Sequence, residues 1–187
     1  HLLGSREAIF IAASDSFYMA SVGETGWPYV QHRGGPAGFM KVLDERTIGF
    51  AEYAGNRQYV STGNFRSDNR VALFFMDYPN RRRLKLLGRV RTVERDEPAL
   101  LARLEDADYP AQIERGFIID VEAFDWNCPQ HITPRFTEAQ VEGQLTALRM
   151  ENRHLKDLLT GAANTQPATT ALNDQQAPTV SACASTE

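Results

Sequence analysis

Cysteine is scarce here: Cys128 and Cys183 are the only two in 187 residues. A disulfide framework is therefore not expected, and a reducing, cytoplasmic compartment is. Cys128 and His131 have a ligand-like spacing, but a structural zinc takes about four protein ligands, so no metal is assigned. Long hydrophobic runs are also missing. None approaches the roughly 20 residues that cross a bilayer, so no membrane span is expected. The first residue is His1 rather than Met, and no signal-peptide pattern is visible. Net basic charge is absent too, the total being −4. The hydrophobic share of 42% and charged share of 24% are ordinary for a globular chain of one domain with room for a tail.

The charge is unevenly placed. Residues 57–95 hold ten of the chain's 20 Lys and Arg, against three acids. This favours an anionic ligand over nucleic acid, because the rest of the chain is acidic. A solvated strand face is the other reading of the same charges. A nucleic-acid barrel using the Arg81–Arg95 face is disfavoured, since no pattern of stacking aromatics accompanies it.

Short β-like runs dominate residues 1–136. A helix over residues 5–13 precedes runs at Phe17–Val22, Pro28–His32, Phe39–Leu43 and Thr47–Glu52, separated by glycine-rich and acidic turns. Residues 56–64 suit a short helix or turn. Val71–Met76 is continuously apolar, as in a strand buried on both faces. Leu84–Val93 alternates, as in a half-exposed strand. Asp96 is placed to cap a helix carrying Pro98 in its first turn, and Phe117–Phe124 supplies a further strand. Strands at this spacing, with only short helices between them, predict a small β-barrel or closed sheet.

After Pro134 the character changes. Thr137 and Gln140 fit a capping box opening a helix over residues 137–160. Along it Val141, Leu145, Leu148, Asn152, Leu155 and Leu159 follow a 4-3-4-3-4 spacing, alternating heptad d and a positions. One reading is a short parallel two-stranded coiled coil, in which a buried Asn costs stability but fixes register and strand number. The other is an amphipathic helix packed on its own barrel. Gly161 is expected to end the helix. Residues 161–187, rich in Ala, Thr, Gln, Asn and Pro, read as a disordered tail with too little apolar surface to offset ordering entropy.

The chemistry concentrates in two segments. Gln31-His32-Arg33-Gly34-Gly35-Pro36-Ala37-Gly38-Phe39 offers bare backbone, an amide and a guanidinium. Gly55-Asn56-Arg57-Gln58-Tyr59-Val60-Ser61, followed by Asn64, offers a second cation with amides and hydroxyls. Alone, the glycine run is a weak signal. It lacks the Gly-Lys-Ser/Thr ending of a P-loop and does not open a helix as a dinucleotide fingerprint would; a plain β-turn explains it equally.

Together with Asn69-Arg70-Val71-Ala72-Leu73-Phe74 and Trp126-Asn127-Cys128-Pro129-Gln130-His131, these segments resemble the pyridoxamine 5′-phosphate oxidase-like FMN-binding family of split-barrel flavoproteins. The likeness covers about residues 5–136, and its closest look is to a poorly characterised flavin-nucleotide-binding branch. It implies a mainly β fold: a six-stranded split β-barrel with short flanking helices, here followed by the C-terminal amphipathic or coiled-coil helix. It also implies a homodimer with FMN in each inter-subunit cleft. Where the family has a Ser-Arg-Lys phosphate grip, this chain reads Asn56-Arg57-Gln58. Arg57 keeps the phosphate cation, with Asn56 and Ser61 as neutral donors, while Arg33 or Lys41 would replace the lost lysine.

The resemblance also runs Gln31–Gly34 along the flavin ring, where glycine lets backbone approach closely. Gln31 and His32 would then touch the flavin, although a packed strand residue is an equal reading of His32. Trp126 and His131 would reach the cleft from the partner subunit, with Trp126 also readable as core. The Arg-x-His-Asp-like substrate motif of true pyridoxamine phosphate oxidases has no counterpart, so oxidation of that vitamer is disfavoured. The resulting expectation is an FMN-dependent oxidoreductase working between a nicotinamide donor or small substrate and an acceptor. A flavin- or haem-binding sensor or carrier without turnover is the alternative. The flavin performs the electron chemistry, so no catalytic residue is assigned.

Overall fold

Apolar side chains at every second position build the sheet, because successive strand residues face opposite sides. In β1 (Ser16–Val22) Phe17 and Met19 are buried; in β5 (Arg70–Asp77) so are Val71, Leu73 and Phe75, and in β6 (Arg82–Val93) Leu84, Leu86 and Val90. With β2 (Pro28–Gly34), β3 (Lys41–Val42), β4 (Thr47–Tyr53) and β7 (Ile113–Trp126) they form one seven-stranded sheet in the order β2-β1-β5-β6-β7-β4-β3. Every pairing is antiparallel. This is the expected mainly β, split-barrel fold: six long strands joined by the two-residue β3. The computed structural model describes residues 2–55 and 58–163. It divides between Phe136 and Thr137 into two units.

The sheet rolls until its ends approach. Arg33 on β2 and Glu52 on β4 stand near opposite ends of the strand order, yet their side chains meet at 2.7 Å. No backbone ladder joins those two strands among the described residues, so side chains close the seam. Inside, Phe17 packs on Phe39, Phe50 and Phe75 with ring centroids 5.7, 5.2 and 5.1 Å apart, and Phe50 meets Phe117 at 5.3 Å. Burying each such ring contributes about 1.5–3 kcal/mol.

Helices pack against the roll at separate places. α1 (Ser5–Ala12) sends Phe10 and Ile11 into the main core, while α3 (Pro98–Leu104) packs Leu104 with Ala51, Val93 and Ile118 on the outside of β4 and β7. Glycine makes that second contact possible, since a Cβ at Gly116 would lie 2.5 Å from Leu104 Cδ1.

Several sequence expectations are corrected. The strand expected at Phe39–Leu43 shrinks to Lys41–Val42, because Phe39 and Met40 turn into the core after Gly38, whose φ of 84° belongs to the left-handed region. The helix or turn expected over residues 56–64 is met in part by α2 (Val60–Ser67), which runs three residues further, while positions 56 and 57 lie outside the described residues. Glu97, not Asp96, occupies the α3 N-cap, without a side-chain cap bond. Val71–Met76 is buried on one face only in the single chain: Ala72, Phe74 and Met76 stay partly exposed.

The second unit contains α4 (Glu138–Ala163), which runs past Gly161 instead of stopping there. Its start follows the expected capping box. The Thr137 backbone N–H donates to Gln140 Oε1 at 2.9 Å, and the Gln140 N–H to Thr137 Oγ1 at 3.3 Å. The expected disordered tail lies outside the described residues from position 164 onward.

Candidate functional site

Strand alternation sorts the first segment before any ligand is considered. On β2, Gln31 and Arg33 share one face and are half-buried, whereas His32 is exposed on the other with Val30. Gln31 Oε1 accepts a hydrogen bond from Ser61 Oγ at 2.9 Å, and Ser61 is fully buried. One turn further along α2, Asn64 Nδ2 donates to Ser21 Oγ on β1 at 3.0 Å. These two bonds stitch α2 onto the β1–β2 hairpin. Two segments separated by thirty residues in sequence thus meet at Gln31 and Ser61. Asn56 and Arg57, on the connection leading into α2, lie outside the described residues. Gln58 follows them, and Tyr59 holds the N-cap position with no side-chain cap bond.

Beside this junction lies a charge cluster. Arg33 Nη1 donates to Glu52 Oε1 at 2.7 Å. Arg115 Nε comes within 3.0 Å of the other carboxylate oxygen, out of line for a hydrogen bond, so that contact is electrostatic. Glu52 and Arg115 are direct register partners across β4 and β7. The Arg115 guanidinium stacks over Tyr59 at 5.0 Å, and the Tyr59 hydroxyl donates to Glu114 at 3.1 Å. Glu114 Oε2 lies 3.8 Å from Arg115 Nη2, so two guanidinium groups face two carboxylates and the cluster is balanced in charge. The Nε groups of Arg33 and Arg115 have no hydrogen-bond partner among the described residues. Buried donors left in this way are costly, and an incoming anion would satisfy them.

Glu52 and Arg115 were not candidates from sequence, and Tyr59 entered only as part of the Gly55–Ser61 run. The only signal for the Glu52–Arg115 pair is opposite charge across a ladder, which becomes visible once register is known. Lys41 lies 3.8 Å from Asp106 in a half-buried pair. Glycine in the first segment has local reasons: a Cβ on Gly35 would sit 2.7 Å from Phe39 Cγ, and one on Gly34 would sit 3.1 Å from His32 Cε1.

Trp126 is engaged within its own chain. Its indole N–H donates to Glu7 Oε1 at 2.7 Å, its ring meets Phe10 edge-on at 4.8 Å, and Arg6 lies 4.2 Å from its centroid. Burial works against the Glu7 carboxylate, but hydrogen bonds from Trp126 and the Gly4 backbone, with Arg6 nearby, hold that carboxyl below its usual value. His131 is exposed, five residues along, at a φ of 63°. The structure therefore gathers Gln31, Arg33 and Ser61, and sets His32, Lys41, Trp126 and His131 apart from that junction. Half of the ten cations in the basic run are answered by acids: Arg70 by Asp68, Arg82 by Asp77, Lys85 by Asp125, Arg89 by Glu122 and Arg91 by Glu97. Asp68 is held at a pKa of about 2, chiefly by the Arg70 side chain.

No curated protein matches the sequence. Solved structures do share the fold. A crystal structure described as a candidate pyridoxamine 5′-phosphate oxidase from Lactobacillus delbrueckii superposes with a TM-score of 0.51 at 20% identity, covering 66% of this chain and 93% of that one. An FMN-binding protein from Syntrophomonas wolfei superposes with a TM-score of 0.50 at 11% identity, covering 65% and 83%. A sequence profile of the family described as pyridoxamine 5′-phosphate oxidase matches residues 7–122, well over half of the chain. The sheet, its connections and residues 7–122 accordingly make this chain a member of the pyridoxamine 5′-phosphate oxidase family.

Proposed function

We propose that the protein binds FMN between two copies of itself and works as an FMN-dependent oxidoreductase. It would pass hydride or electrons from a nicotinamide donor or small substrate to an acceptor. One observation carries the reading: the Gln31–Ser61 hydrogen bond, which joins the segment resembling a flavin-ring edge to the start of the helix behind Arg57. The donor set fits the group. A dianionic phosphate suits Arg57 with Asn56 and Gln58, with Ser61 behind them tied to Gln31, and the Nε groups of Arg33 and Arg115 make no hydrogen bond among the described residues. Gln31 and Gly34 would border the ring, Lys41 would add charge, and Trp126 and His131 would approach from the second copy. When bound, the flavin accepts and releases hydride or single electrons. The fold itself accommodates such a ligand, the Syntrophomonas wolfei protein being FMN-binding.

The outer sheet face supports the second copy. Val30, Ala20, Ala72, Leu87 and Ala123 form one row across five strands; His32, Tyr18, Phe74, Lys85 and Asp125 form the next. Val30 and Leu87 are 60% and 55% exposed in the single chain. The first row is apolar throughout, and the second ends in the exposed Lys85–Asp125 pair, a mix that suits an association surface. His32 lies in it, opposite the Gln31 face.

Purified protein is expected to be yellow, with the usual flavin absorption bands, and Arg57→Ala to lose at least ~10-fold in FMN affinity, one charge-assisted phosphate contact. Colourless protein that also fails to bind added FMN overturns the reading. Flavin reduction by a nicotinamide donor followed by reoxidation separates an oxidoreductase from a non-catalytic carrier.

A further inference from the structure

The apolar stripe of α4 is unclaimed by anything described so far. Leu148, Leu155 and Leu159 are 60%, 51% and 72% exposed, and Val141 and Leu145 are exposed beside them on the same stripe. We infer that α4 pairs with α4 of a second copy as a parallel, in-register, two-stranded coiled coil.

Three observations select this occupant and geometry. Apolar residues hold both d positions and the two flanking a positions from Leu145 to Leu159, preceded by Val141 at d; of the other exposed large apolar residues on the helix, Leu158 adjoins this seam at g and Met150 lies away from it at f. Asn152 interrupts it at an a position. In parallel register the two Asn152 amides face and hydrogen-bond each other, whereas an antiparallel arrangement sets a against d and leaves each amide against an apolar side chain. Charge then completes the match. With Asn152 at a, Glu151 is a g residue and Lys156 the e residue five positions on, so parallel pairing brings Glu151 of each copy to Lys156 of the other. Gln144 and Arg149 form the equivalent uncharged-to-charged pair one heptad earlier. The Arg149 guanidinium already reaches along the helix surface to Glu142 at 2.7 Å.

The test uses the full chain with both native cysteines changed to serine. Leu159→Cys in one sample, and Asp157→Cys on the opposite face in another, are oxidised under mild conditions and read on a non-reducing gel. Parallel register sets the two 159 positions side by side within disulfide reach. Leu159→Cys is expected to cross-link at least 10-fold faster than Asp157→Cys, at a rate insensitive to dilution. Adding Leu155→Lys should abolish that advantage, with circular dichroism confirming that the sheet remains folded. Equal cross-linking at both positions, none at 159, or selective cross-linking of a Val141→Cys chain to a Leu159→Cys chain would each overturn the inference. None of these readouts depends on flavin, so failure here and failure of the FMN reading are distinguishable.

Discussion

Changing Glu52 to Gln would leave the Arg33 and Arg115 guanidinium groups beside one another with no anion between them. Both sit within 3.0 Å of the one carboxylate, which is buried to 7% exposure, so little water is present to screen them. Removing one partner of a buried ion pair costs about 3–5 kcal/mol, most of it from the charge left behind. Glu52→Gln is therefore expected to lower the urea midpoint by an amount equivalent to about 3 kcal/mol. Loss under about 1 kcal/mol would show that water or a ligand already serves these arginines. At this scale the sequence was only partly legible. Gln31, Arg33 and Ser61 stood out as residue types, and the first two fall on one strand face by simple alternation. Glu52 and Arg115 could not be read, because each is an ordinary surface charge until the ladder places it opposite the other.

At the scale of elements, two glycines predict opposite outcomes. Gly88 lies where β6 and β7 shift register, and a Cβ there would be 2.5 Å from the Asp120 carbonyl oxygen. Backbone cannot swing aside as a side chain can, so Gly88→Ala is expected to cost about 3 kcal/mol, the upper end for overpacking. Gly63, inside α2, has nothing within 4 Å of such an atom. Gly63→Ala should stabilise by about 0.5–1 kcal/mol through helix propensity alone. Paired thermal melts check both signs, and a stabilised Gly88→Ala would refute the packing argument. Elements with strong periodicity were readable: β1, β4, β5 and β6 fall close to their apolar runs, and the Thr137–Gln140 box opens α4. Boundaries set by tertiary contact were not. β3 is cut short because Phe39 and Met40 are drawn into the core, and α2 runs on to Ser67 with Ser61 and Asn64 anchored by Gln31 and Ser21.

For the whole molecule, the continuous apolar run Val71–Met76 predicts a strand buried on both faces, yet one chain buries only the Val71, Leu73 and Phe75 side. The run is consistent with an assembly in which a second copy covers Ala72 and Phe74. If α4 is first disabled by Leu155→Lys, Leu87→Glu is expected to shift the chain from dimer to folded monomer in light scattering. Under the proposed function bound flavin should fall with it, the second copy being half of the proposed cleft. An unchanged dimer mass would place the association surface elsewhere on the barrel.

The seam between β2 and β4 has a consequence for solubility. A rolled sheet without a closing ladder has two raw edges, and each is a template onto which another chain could add a strand. Here β2 and β4 are turned toward one another and tied by the Arg33–Glu52 ion pair, with Arg115 of β7 against the same carboxylate. Any strand trying to extend the sheet must first separate those charges in a half-buried setting. The Arg33–Glu52 pair, braced by Arg115, thereby guards against edge-to-edge aggregation, and residues beside the candidate site also keep the fold from polymerising through its own hydrogen bonds.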